Sequence, residues 1–308
     1  MIFSSIEFLL FFLPFFLITY AIVPARIKNV TLLSGSLVFY ALGDSRYLAL
    51  LMMSVVVNYF FGLHLGRGAR QRGKDKGYKR SRLDRKRRTL LWLAVGMNVG
   101  LLVWFKYSAD TEDFPLGLSF YTFQILSYLI DVYRGEQQKE TSFVSLATYI
   151  VMFPQLVSGP IVSYGEVREA LGRRPFTLGG IQEGLKVFTM GLAAKVLLAD
   201  RTGLLFRELQ VTGFESISTP LAWLGAVAYS LRLYFDFYGY SLMAVGLGRM
   251  LGFELPANFR NPYMAVSVRD FYRRWHMTLG RWFCKYVYIP LGGNRRGELR
   301  TMGNLILV

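Results

Sequence analysis

Apolar residues in this chain fall in long blocks rather than single alternations. Residues 8–23 form a continuous apolar run interrupted only by Pro14, Thr19 and Tyr20. With its flanks it reaches the roughly 20 residues that a bilayer-crossing helix needs. Residues 30–42 give a shorter span closed by the turn-like Gly43-Asp44-Ser45, residues 47–65 a third and residues 90–107 a fourth. The first run lacks a basic leader and an A-x-A-like cleavage site, which predicts a retained anchor rather than a signal peptide.

From Leu116 onward, ionisable residues enter the apolar segments. Asp131 ends one segment, Glu183, Lys186, Lys195 and Asp200 punctuate another, and Arg232 and Asp236 interrupt a third. A charge at the bilayer centre costs about 2.5–3.5 kcal/mol even on the lenient insertion scale, so such side chains are expected to face protein, a partner or water. Arg232 and Asp236 stand four apart and share a helix face, the spacing of a buried ion pair that pins two helices. The alternative is that Asp236, among Tyr234, Tyr238 and Tyr240, lines a wet cavity with Arg232. In FPQLVSGPI, Pro154, Gly159 and Pro160 break a regular helix, and broken backbone at membrane depth survives only where protein or a water-filled cavity satisfies it. A re-entrant or funnel-lining segment is therefore expected there, with Gln155 as a channel-lining candidate.

The stretch 258–296 is the most informative. Taken as one helix, 270–288 places Arg281 and Lys285 within about 20° of Arg274, forming one basic stripe. The opposite arc collects Trp282, Trp275, Tyr286, Leu279, Tyr272, Phe283, His276 and Val287. Such a division predicts an amphipathic helix in the membrane interface, cations toward headgroups and rings toward hydrocarbon or protein, with His276 pointing inward. That geometry suits either a buried, hydrogen-bonded core histidine or a channel-lining one. Pro290 and Gly292-Gly293 stop the helix, and Arg295, Arg296 and Arg300 extend its basic character. The closing apolar run 302–308 is too short to span a bilayer and reads as a segment cut off.

Charge fixes an orientation. The net charge is +16, and most of the excess sits between the third and fourth spans, where residues 67–88 carry twelve Lys or Arg against Asp75 and Asp84. Together with Arg26, Lys28 and the acidic Asp110, Glu112 and Asp113, this puts the basic loop 67–89 in the cytoplasm and the N-terminus outside. The loop has Tyr78 as its only aromatic, which argues for anionic lipid rather than nucleic acid as its partner. His64 falls at the cytoplasmic end of the third span, an interfacial structural position. One cysteine excludes an internal disulfide and a cysteine-based zinc site, and Cys284 reads as a packing residue. No P-loop, dinucleotide fingerprint, internal repeat or H-x-x-x-H metal spacing occurs. The fold class expected is all-α: a polytopic transmembrane helical protein with re-entrant and interfacial amphipathic helices, one membrane domain over 1–308.

RRWHMTLGRW followed by YIPLGGNRRG resembles the membrane-bound O-acyltransferase family, most closely its bacterial alginate O-acetyltransferases. LGLSFYTFQILSYLIDVYRG, MFPQLVSGPI and LYFDFYGYSLMAVGLGRMLGFELPANFRNPY match in the same order, so the likeness covers essentially the whole chain. The resemblance implies an enzyme of the bacterial inner membrane, multi-pass, that moves an acetyl group from a cytoplasmic thioester donor, acetyl-CoA or an acyl carrier, to hydroxyls of an exported polysaccharide, with periplasmic acetylation proteins as partners and no bound cofactor or metal. It also implies two histidines, of which His276 matches the first in a supporting or channel role. The second and principal one is expected in a later membrane helix beyond Val308, so the 308 residues alone are expected to be inactive. Acceptors in the same family include cellulose, peptidoglycan and, for D-alanyl transfer, teichoic acid. A second reading is a non-catalytic membrane scaffold that docks a donor or carrier protein on Arg274, Arg281 and Lys285.

Overall fold

A computed structural model describes residues 2–66, 78–108, 114–213, 215–295 and 297–306. Among the described residues every regular element is helical. A π turn at Glu7–Phe12 leads into α1 (Leu13–Ile22), followed by α2 (Lys28–Asp44), α3 (Leu48–Leu65) and α4 (Tyr78–Ser108). Next come α5 (Leu118–Arg134), α6 (Phe143–Val151), the single turn α7 (Phe153–Leu156) and α8 (Tyr164–Gly172). Then follow α9 (Leu178–Ala193), a π segment at Ala194–Ala199, α10 (Asp200–Thr212) and the long α11 (Thr219–Met250). The last elements are α12 (Val268–Arg274), α13 (Met277–Phe283), a π segment at Cys284–Tyr288 and α14 (Glu298–Ile306).

The expected apolar runs are thus helices. Among the described residues two stretches are long and apolar enough to cross a membrane, Ala25–Leu65 and Asp84–Ser108, while Glu7–Ile22 is apolar but shorter. Large apolar side chains such as Phe11, Phe15, Ile22, Trp92 and Trp104 are exposed, an arrangement suited to a hydrocarbon solvent rather than water. Residues 67–77 of the basic stretch, with Asp110, Glu112, Asp113 and Arg296, lie outside the described residues. From Tyr78 the stretch is helix rather than loop, because Lys, Arg and Leu are good helix formers and carry α4 back beyond its apolar part.

The chain forms two compact units. One comprises Met1–Phe15, Ser158–Pro160 and Pro175–Met277. Its centre is the α9–α11 pair, in which a Cβ on Gly184 would lie 2.6 Å from the Gly246 carbonyl oxygen and one on Gly246 2.6 Å from that of Gly184. Gly191 and Gly239 form a second reciprocal pair two turns along. Small residues let the two backbones touch, the packing that membrane helices use in place of a hydrophobic drive. Thr177 caps α9 by accepting from the Gly180 amide (3.1 Å), and Pro220 occupies the first turn of α11, where no amide is needed.

The other unit comprises Phe16–Val157, Ile161–Arg174 and Thr278–Val308. Asn58 of α3 and Asn98 of α4 exchange amide hydrogen bonds (3.1 and 2.8 Å) in a buried position. Arg87 donates to the carbonyls of Leu65 (2.8 Å) and Tyr133 (3.0 Å). The predicted break is present: α6 ends at Val151, Met152 leaves the helix, and the one-turn α7 follows with its Phe153 amide bonded to Ser36 Oγ (3.1 Å). Just beyond it the Ile161 amide donates to Thr278 Oγ1 (3.0 Å). Side chains therefore satisfy two amides at the break, Phe153 and Ile161, as broken backbone in a membrane protein requires.

Gly246→Val should lower the thermal midpoint in detergent, since overpacking typically costs about 1–3 kcal/mol. Gly280→Ala, where a Cβ would meet nothing within 4 Å, should leave the midpoint unchanged or raised, by up to about 1 kcal/mol. A Gly246→Val protein as stable as the parent would show that the α9–α11 contact is not tight.

Candidate functional site

The single amphipathic helix expected over 270–288 is not present. α12 ends at Arg274, Trp275 is extended, and His276 adopts a left-handed φ of +41° before α13 begins. The physical reason is a backbone exchange with the preceding loop: the Arg260 amide donates to Arg274 O (2.9 Å) and the Met277 amide to Asn258 O (2.9 Å). A β-like clasp thus interrupts the helix at Trp275 and His276. Arg274 consequently shares no helix face with Arg281 and Lys285, and its guanidinium pairs with Asp270 on α12 (2.9 Å). Ser267 caps that helix through the Asp270 amide (3.1 Å).

The clasp leaves His276 half-buried rather than on a fully inward helix face. Its Nδ1 lies 2.9 Å from Oδ1 of Asn258, a side chain that is itself buried. Phe237 meets the imidazole edge-on at 4.8 Å and Phe259 lies more parallel at 6.5 Å. Tyr234 and Trp275 continue this aromatic wall, with Tyr238 stacked on Tyr234 at 5.4 Å. Burial pushes the His276 imidazole down to about 4, so it is neutral at ordinary pH. Because an amide oxygen only accepts, Nδ1 carries the proton and Nε2 keeps a lone pair. A base this weak can orient or accept from a hydroxyl but holds little proton at neutral pH.

In the other unit, the turn after α13 gathers a second set of groups. Asp131, 2% exposed, forms an ion pair with Lys285 (3.0 Å) and accepts at Oδ2 from Lys285 Nζ (3.2 Å) and from the Tyr286 hydroxyl (2.9 Å). Lys285 also bonds Glu136 (2.9 Å), and Arg134 lies 3.6 Å from the same carboxylate. Burial alone would lower Lys285, but its bonds to Glu136 and Asp131 overcome this and hold the ammonium above its usual range. The same bonds hold Glu136 below the usual carboxylate range against the opposing effect of burial. Beside this cluster is a cavity of about 280 Å³ walled by Ser163, Glu166, Thr278, Arg281, Trp282 and Lys285, among others. Arg281 reaches Glu166 at 3.9 Å. Glu166 and Ser163 also form the capping box of α8, which fixes that wall.

Asp236 does not pair with Arg232 as expected. Its carboxylate bonds Lys195 (2.7 Å), which also holds Asp200 (2.6 Å), because the π segment of residues 194–199 turns Lys195 toward α11. Arg232 instead lies across Gly203. Both residues do line a cavity, about 270 Å³, with Lys195, Asp200 and Arg207. Tyr238 and Gln155 line neither of these two cavities; Gln155 is fully buried and donates to the Tyr149 carbonyl. Cys284, read as packing, is exposed, since the π segment 284–288 turns it away from the core side that carries Tyr286. His64 bonds the Phe60 carbonyl at the end of α3 (2.8 Å). Among the described residues no cluster of His, Cys, Asp or Glu could hold a metal. Sequence reasoning did not single out Asn258, Glu136, Glu166 or Thr278. The partners that place them at the site, Lys285 for Glu136, Arg281 for Glu166, Ile161 for Thr278 and His276 for Asn258, are not neighbours in the chain, and only the contrast of isolated polar residues with apolar surroundings could have flagged them.

A half-buried neutral imidazole in one unit, paired charges in the other, and helices that expose large apolar side chains make this a helical protein suited to a membrane. The membrane-bound O-acyltransferase family model matches residues 134–308, and the chain belongs to that family. It is similar to the probable alginate O-acetylase of Pseudomonas fluorescens, 38% identical over all of this chain and 60% of the relative. It is also similar to the peptidoglycan O-acetyltransferase of Helicobacter pylori, 36% identical over all of this chain and 65% of the relative. The teichoic acid D-alanyltransferase of Bacillus subtilis is 28% identical over 56% of this chain and 45% of the relative. The chain spans 60–65% of the length of the relatives that it matches throughout.

In a His64→Gln background, the imidazole NMR signal of His276 should titrate with a midpoint below about 5. An unfolded histidine takes up a proton near 6.5 and the folded one near 4. The unfolded state therefore binds more protons in this window, and stability falls as pH drops through it. A midpoint near 6.5 would contradict the buried, neutral imidazole. Separately, Lys285→Met leaves the Asp131 carboxylate buried with the Tyr286 hydroxyl. It should destabilise the protein by about 1–3 kcal/mol, with Asp131→Asn in the same chain recovering part of the loss.

Proposed function

We propose that this chain is the membrane-embedded part of an inner-membrane, multi-pass O-acetyltransferase that esterifies hydroxyls of an exported polysaccharide, with alginate the favoured acceptor. The observation that carries the reading is His276: it stands in RRWHMTLGRW, within the segment matched by the family model. It is held by Asn258 with Nε2 as a lone pair in an aromatic, water-poor surround. Acyl transfer from a thioester to an alcohol needs the hydroxyl oriented and water kept out, or the donor is hydrolysed. A neutral imidazole of depressed basicity suits the orienting task, so His276 is assigned a supporting, channel-side role. Whole-chain similarity to alginate O-acetylases favours that acceptor over peptidoglycan or teichoic acid. Periplasmic acetylation proteins complete the reaction in this reading, and one membrane domain spans 1–308.

The thioester donor, acetyl-CoA or an acyl carrier, is assigned to the Arg281 cavity. Arg281 is the most exposed of the three cations expected to dock it, with 58% of its side chain accessible. Arg274 and Lys285 are already committed to Asp270 and to Asp131 and Glu136. Each of the three has a carboxylate partner, which leaves little net positive charge and weighs against a pure docking scaffold.

His276→Ala should reduce ester acetyl groups on the secreted polysaccharide by about 10²-fold, the cost of losing a group that orients the hydroxyl. His276→Gln, which can still bond Asn258, should retain more. Arg281→Glu should raise the KM for the donor and spare kcat. Unchanged acetylation in His276→Ala would remove the transferase role of this residue, whereas carrier binding that Arg281→Glu abolishes, in cells whose polysaccharide acetylation does not depend on this protein, would favour the scaffold.

A further inference from the structure

The unit built on α9 and α11 holds a charged cavity that the acetyl-transfer reading does not use. It lies between α10 and α11, where Lys195, Asp200, Arg207, Arg232 and Asp236 converge on about 270 Å³. The two carboxylates are both taken by Lys195, at 2.6 and 2.7 Å. Arg207 and Arg232 are left: among the described residues neither guanidinium has a carboxylate or hydrogen-bond partner. Arg232 is nonetheless placed with care, its aliphatic stem lying across Gly203 at 3.0 Å from where a Cβ would be. Ala199, Asp200, Gly203, Leu204 and Arg207 recur along one face of α10, so that helix turns a consistent side to the cavity.

Two forked donors facing one hollow suit an oxyanion, which guanidinium binds with paired hydrogen bonds. The surroundings identify its carrier. Leu204 lines the cavity and is exposed, and Leu197 and Leu233 are exposed beside the charged residues on the π segment and on α11. A soluble anion needs no apolar rim, whereas the acyl chains below a phosphate do. Cations with long apolar stems over exposed leucines form the arrangement by which membrane proteins engage headgroups.

We propose that the cavity between α10 and α11 is a phospholipid site, in which Arg207 and Arg232 grip the phosphate of an anionic headgroup and the exposed leucines seat its acyl chains. The inference rests on the membrane placement of the chain but not on its acetyl transfer, so the two can fail independently.

The test is native mass spectrometry of the protein in mild detergent with phosphatidylglycerol or phosphatidylcholine added. Phosphatidylglycerol should be retained in preference, and Arg207→Gln with Arg232→Gln should weaken retention at least about tenfold, equivalent to the loss of one or more charge-assisted bonds. Circular dichroism should show unchanged helix content, because Lys195 still satisfies Asp200 and Asp236. If the double variant does not fold, Arg207→Gln alone, at an exposed position, should still weaken retention several-fold. Equal retention of both lipids, or undiminished binding by a folded variant, would overturn the proposal. Full displacement of the lipid by millimolar inorganic phosphate would also overturn it, by making the cavity a site for a soluble oxyanion.

Discussion

The backbone clasp between residues 258–260 and 274–277 decides what the rest of this protein can do. Two amide bonds, Arg260 to Arg274 and Met277 to Asn258, hold Trp275 extended and His276 at positive φ. A non-glycine residue in that region costs about 1–3 kcal/mol and persists only where its surroundings over-determine it. Here the same asparagine provides both the backbone acceptor and the side-chain acceptor for the imidazole. The strained turn and the orientation of His276 are therefore one feature.

That coupling gives the histidine its chemistry. An imidazole fixed through Nδ1, with Phe237 and Phe259 against it and Trp275 packed on Phe259, has little freedom to rotate and reduced solvent to stabilise a positive charge. It presents one lone pair in one direction. The second unit achieves order differently, by burying Asp131 and surrounding it with donors from the turn after α13. Both arrangements spend polar groups in apolar surroundings, where an unmatched partner is costly and a matched one is rigid.

Much of the scaffold was legible in the sequence. The apolar blocks correspond to α1 to α4 because hydropathy over twenty residues is a signal that tertiary context rarely reverses. The break at FPQLVSGPI was equally readable, since proline removes the donor a helix needs. The break at Trp275-His276 was not: the apolar and basic positions continue with helical spacing through it, no proline or glycine marks it, and the competing hydrogen bonds come from a loop fifteen or so residues upstream. Asp236 shows the same limit. Its i−4 neighbour Arg232 was the local choice, while Lys195 reaches it only because a π segment shifts the register. Local periodicity reports which residues share a face of a regular helix, and both failures occur where the helix is not regular.

The most direct test is the pH–rate profile of acetyl transfer by the native gene product in its own membrane, with Asn258→Asp compared with the parent. If Asn258 sets the charge state of His276, a carboxylate in its place stabilises the imidazolium, and the acid limb of the profile should move up by about one pH unit or more. In the parent, no limb attributable to this residue should appear above pH 5, given a value of about 4. A profile unchanged by the substitution, with the protein folded and active, would show that the Asn258–His276 pair does not govern the reaction, and the central role given to this clasp would be wrong.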